Sequence, residues 1–64
     1  MKTIMDIQQL LKRFGTIIYT GDRLSDFTLM EEELRELYQW EMIDSQTFQQ
    51  ALLLLRTEAS KLKS

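Results

Sequence analysis

Apolar positions fall into three helical stripes separated by one stretch that does not follow the pattern. Ile4, Ile7, Leu10, Leu11 and Phe14 recur at helical spacing and cover roughly a third of the helix circumference at about 100° per residue. Thr3 before them is a good N-cap, and Asp6 three residues later supplies the second half of a capping box. Lys12 and Arg13 suit the negative end of that helix, and Gly15 is placed as the residue that turns left-handed just past it. The spacing predicts a first helix over about residues 4–14. It is too short to be stable alone and must dock on something.

A second stripe comprises Leu24, Phe27, Met30, Leu34, Leu37 and Tyr38, predicting a helix over about residues 23–41 that starts at an Asp22 cap after Gly21. Asp26 and Glu31–Glu33 crowd its first half, where acids suit the positive helix end, and Glu31–Arg35 is a favourable i,i+4 pair. The third stripe is Phe48, Ala51, Leu52, Leu55, Ala59 and Leu62, widened by Leu54, predicting a helix over about residues 45–61. Asp44 caps it, and Ile43 with Phe48 has the spacing of a hydrophobic staple. The short connection Met42-Ile43-Asp44 makes helices two and three antiparallel neighbours.

The exception is Gly15–Arg23, which holds both glycines of the chain. Thr16 to Thr20 is β-branched apart from Tyr19, and local propensity favours a strand. No second strand exists for it to pair with, and a lone strand cannot satisfy its backbone. It is therefore expected to be an extended crossover with Ile17 and Ile18 as partly buried plugs. The fold class that results is all-α: a compact three-helix bundle with a short first helix, an extended crossover and an antiparallel helical hairpin. Residues 1–64 form a single domain.

Composition narrows the chemistry. A 64-residue chain buries only about 60% of its unfolded surface, so its core is marginal. With no cysteine and no histidine, disulfides are impossible and a zinc site would need carboxylates alone. Well-packed helices or self-association must supply the stability. No apolar run approaches the roughly 18 residues that span a bilayer, and Asp6 interrupts the N-terminus where a signal peptide stays apolar. These features point to a cytoplasmic protein with no membrane role.

Charge is uneven along the chain. Residues 1–23 carry four cations against two acids, residues 24–44 one arginine against seven acids, and residues 45–64 three cations against one acid. The net charge of −2 provides no overall basic field for nucleic acid. An acidic middle between mildly basic ends fits complementarity within a bundle and a solvated acidic face.

The segments Asp6-Ile7-Gln8-Gln9-Leu10-Leu11-Lys12, Gly15-Thr16-Ile17-Ile18-Tyr19-Thr20-Gly21-Asp22-Arg23, Glu33-Leu34-Arg35-Glu36-Leu37-Tyr38 and Leu53-Leu54-Leu55-Arg56 together resemble the YqgQ family of small uncharacterised proteins of Bacillota. The Tyr-Thr-Gly-Asp-Arg turn after a β-branched run is the most specific part. The resemblance implies a three-helix fold and no particular activity. Single-stranded nucleic-acid binding is the role it suggests.

No catalytic constellation is visible, and no enzyme activity, cofactor, metal or small-molecule substrate is expected. Glu31, Glu32 and Glu33 are consecutive and fan out around the helix, although Glu32 and Glu36 share a face. Two binding readings stand. Single-stranded nucleic acid needs a basic track with aromatic faces, and Tyr19 lies between Lys12 and Arg13 on one side and Arg23 on the other, with Arg56 and Lys61 able to extend the track if helices one and three adjoin. Against it, Asp22 and Asp26 occupy the helix end that a phosphate would want, and Tyr19 and Arg23 have ordinary structural uses in packing and ion pairing. The alternative is association with another protein or with itself. Leu29, Trp40 and Leu53 fall outside the core stripes, and exposed apolar clusters mark partner surfaces.

Overall fold

The first helix, α1, runs over Ile4–Arg13 in a computed structural model that describes residues 1–63. Its capping box forms as the sequence implies. Thr3 Oγ1 accepts from the Asp6 amide at 3.3 Å, and the Asp6 carboxylate accepts from the Thr3 and Lys2 amides at 3.1 and 2.8 Å. At the other end the Gly15 amide donates to Lys12 O and the Thr16 amide to Leu11 O, both at 3.0 Å. This paired closure requires a left-handed residue, and Gly15 supplies it at φ +83°.

The second helix, α2, spans Arg23–Gln39, and the third, α3, spans Ser45–Lys63. Asp22 caps α2 by accepting from the Ser25 amide and hydroxyl, and Asp44 caps α3 by accepting from the Thr47 amide. The second helix ends two residues before the sequence suggests. Glu41 donates to Tyr38 O and Met42 to Leu37 O, repeating the closure after α1, and Glu41 stands at φ +58°. A non-glycine residue there costs about 1–2 kcal/mol. Glu41→Gly is therefore expected to stabilise the fold by about 1 kcal/mol, raising the thermal midpoint by roughly 4–8 °C in a calorimetric scan. An unchanged or lower midpoint would contradict this account of the turn.

The core draws on every helix: Ile7 and Leu11 of α1, Phe27, Met30, Leu34 and Leu37 of α2, and Ala51 and Leu55 of α3. Helices α2 and α3 form the antiparallel hairpin, and α1 packs on both. Phe14, Leu24, Tyr38 and Leu62, which share the predicted stripes, lie at the margins and stay exposed. Tyr38 stacks on Phe48 at 4.5 Å between ring centroids, and Arg35 lies over the other partner ring at 6.0 Å. On α3 it is Leu54, more than Leu52, that packs against the core. No helix among the described residues is long and apolar enough to cross a membrane.

All three cap carboxylates hold their pKa below the ordinary value of 3.8. For Asp6 the main cause is the Lys2 amide, for Asp22 the Ser25 hydroxyl, and for Asp44 the Thr47 hydroxyl, in each case helped by a further backbone amide. A depressed acid stabilises the fold above its unfolded pKa, and that contribution is lost as pH falls through its folded pKa. The urea midpoint should thus hold near neutral pH, begin to fall as pH approaches 3.8 and continue to fall below it. A decline already complete above that value would show that the caps do not set the acid limit.

Candidate functional site

The crossover between α1 and α2 is held along α2 by side-chain hydrogen bonds at both ends. Thr16 Oγ1 donates to Glu33 Oε1 at 3.1 Å. Four residues on, the Thr20 amide and hydroxyl both donate to Asp26 Oδ1 at 2.7 Å. Asp26 and Glu33 lie seven residues apart on α2, about 10 Å along the axis. Four crossover residues match that distance only when nearly extended. The run therefore has strand-like geometry without a partner strand, and carboxylates of a helix take the place of the missing ladder.

Asp26 is the centre of this clamp. It is only 9% exposed and is the one buried polar residue among the described core positions. The Thr20 hydroxyl also accepts from the Asp22 amide at 3.3 Å, linking the clamp to the α2 cap. Gly21 carries the chain round that corner at φ +92°.

Alternation follows from the extended backbone. Thr16, Ile18 and Thr20 turn towards α2, and Ile18 packs against the core. Ile17 and Tyr19 turn to solvent at 80% and 84% exposure. The expectation that Ile17 is a buried plug is thereby corrected: a residue next to a buried position on a period-two backbone must face away from it. Below Ile17 lies a hollow of about 150 Å³ lined by Gln8, Gln9, Lys12 and Met30 together with the crossover.

The six basic and aromatic candidates do not form one track. Lys12 lines the hollow beside the crossover, and Tyr19 stands out from the same segment. Arg23 begins α2 just beyond the clamp, its guanidinium over the Phe27 ring at 5.8 Å instead of paired with Asp22 or Asp26. Arg13 lines a separate depression with Lys2, Asp6 and Thr47. Arg56 lines a hollow formed by α2 and α3 alone, and Lys61 pairs with Glu58 at 2.8 Å. Lys12 and Arg23 stand beyond opposite ends of the crossover, with the exposed Tyr19 ring on the segment between them.

The three apolar candidates are all exposed, Trp40 at 69% and Leu53 at 65%. Leu29 and Leu53 flank the α2–α3 hollow on opposite sides. Leu24 and Thr28 connect it to Leu29, and Arg56 connects it to Leu53. Trp40 caps the C-terminus of α2, near the bend and apart from that surface.

Sequence reasoning placed Asp26 only among the acids of a helix start and did not assign Glu33 a contact. The signal for Asp26 was present: it occupies the face of Phe27, Met30 and Leu34, where an acid needs an internal partner.

Comparison with known proteins places the chain in context. The YqgQ-like family model matches residues 1–61. The Bacillus subtilis (strain 168) protein titled "Uncharacterized protein YqgQ" is 44% identical over 64 residues, covering 100% of this chain and 90% of that protein.

Proposed function

The chain belongs to the YqgQ-like family, and from that premise we propose that it is a small non-catalytic binding protein whose crossover takes single-stranded nucleic acid. The observation that carries this reading is Tyr19, a ring 84% exposed on a segment tied down at both ends. A backbone already held in place lowers the ordering cost of offering the ring to a base. Lys12 and Arg23, at the two ends of the same segment, supply cations for the backbone phosphates. Gln8 and Gln9 beside Lys12 offer amide donors and acceptors to base edges.

The neighbouring carboxylates are engaged within the protein. Asp22 accepts from Ser25, Asp26 from Thr20, and Glu33 from Thr16. Two cations predict a weak, salt-dependent interaction. Titration of a short single-stranded oligonucleotide at low salt should give saturable binding whose log K falls against log salt with a slope near −1.4, about 0.7 per phosphate contact. Absence of binding at low salt would dismiss the proposal.

A further inference from the structure

The side of the α2–α3 hairpin away from α1 carries an apolar hollow of about 320 Å³, formed by Leu24, Phe27, Leu55 and Ala59 between Glu31 on the α2 rim and Arg56 on the α3 rim. No residue of α1 or of the crossover enters it. We propose that a second copy of this chain covers this surface in a two-fold dimer whose axis runs parallel to the helices.

Charge selects both the occupant and the axis. Of the five acids of α2, Asp26 and Glu33 bond the crossover, leaving Glu31, Glu32 and Glu36 against Arg23 and Arg35, while α3 carries three cations against one acid. When two hairpins meet face to face about an axis parallel to the helices, α2 of each lies over α3 of the other. Glu31, whose Oε2 accepts from Arg35 of its own helix at 3.1 Å, then faces Arg56 of the second copy with its other oxygen, and the same pair forms twice, as an isologous interface requires. A two-fold axis across the helices would instead lay acidic α2 on acidic α2. The chosen operation also lays the Leu29 flank over the Leu53 flank of the second copy, so the exposed leucines on both sides of the hollow gain cover.

Size is consistent with a real but modest contact. Helix α3 has 19 residues, and two helices side by side about 28 Å long and 20 Å wide give a footprint whose pairing removes on the order of 1,100 Å² in total, just above the roughly 1,000 Å² that a specific interface needs. A chain of this length without cysteine for a disulfide also has reason to recruit a second core.

The test is sedimentation equilibrium of the full chain from micromolar to hundreds of micromolar. The expected result is a monomer–dimer equilibrium. Arg56→Glu puts like charges in both pairs and should weaken the dimer at least about tenfold, and the exchanged double variant Glu31→Arg/Arg56→Glu should restore it. Arg56 is exposed and Glu31 half-buried, and helical circular dichroism verifies that each variant is folded. A wild-type protein that stays monomeric throughout overturns the proposal. So does an open-ended series of larger species, a dimer indifferent to Arg56→Glu, or a double variant that is not restored. Tyr19 and the rest of the crossover lie outside this surface, which Arg23 adjoins through the Phe27 ring.

Discussion

Asp26→Ala is expected to lower the thermal midpoint by roughly 8–20 °C, reflecting a loss of about 2–3 kcal/mol. The substitution takes the acceptor from two donors at once, the Thr20 amide and hydroxyl, each at 2.7 Å from the same carboxylate oxygen. Hydrogen bonds to a charged group are worth more than neutral ones, and the loss falls on a core of eight buried apolar side chains among the described residues. Asp26→Asn keeps an acceptor oxygen but removes its charge, so its midpoint should lie between those of the wild type and the alanine variant. Thr20→Val removes the hydroxyl and leaves the amide bond, and should also fall between. Thermal unfolding followed by circular dichroism checks the series. An alanine variant that melts with the wild type would mean that the crossover is not clamped.

Tyr19→Ala carries the largest expected effect on binding. Stacking on an aromatic side chain is worth about 1–3 kcal/mol per base, so affinity for a single-stranded oligonucleotide should fall about 5- to 150-fold. Because the ring is almost fully exposed, removing it should leave the thermal midpoint nearly unchanged. Tyr19→Phe keeps the stacking face and should bind within about twofold of the wild type. Fluorescence anisotropy of a labelled oligonucleotide distinguishes the variants. Equal affinity for Tyr19→Ala and wild type would remove the tyrosine from the site. The clamp and the site are connected in this account, so Asp26→Ala should weaken binding at temperatures where it remains folded.

The helices were legible because cap residues and apolar periods agreed. Thr3, Asp22 and Asp44 each stand one residue before a helix, and the three α-helices begin where those caps place them. The crossover was legible by elimination, since a lone β-branched run has no strand to join. Its alternation was not carried through, and Ile17 was placed inward although only Ile18 packs on the core. Glu41 concealed the end of α2, because the left-handed position that usually announces itself with glycine here holds a glutamate. The basic residues could be counted in the sequence but not gathered. Lys12 and Arg13 are adjacent in the chain yet line different depressions, because neighbours on a helix point about 100° apart.

The most direct test of the central claim is a nuclear magnetic resonance titration of isotope-labelled protein with a short single-stranded oligonucleotide at low salt. Amide shifts should concentrate on Lys12 and on residues Thr16 through Arg23, with the α2–α3 hollow around Thr28 and Arg56 little changed. Shifts centred on that hollow with the crossover silent, or no shifts at all, would contradict it.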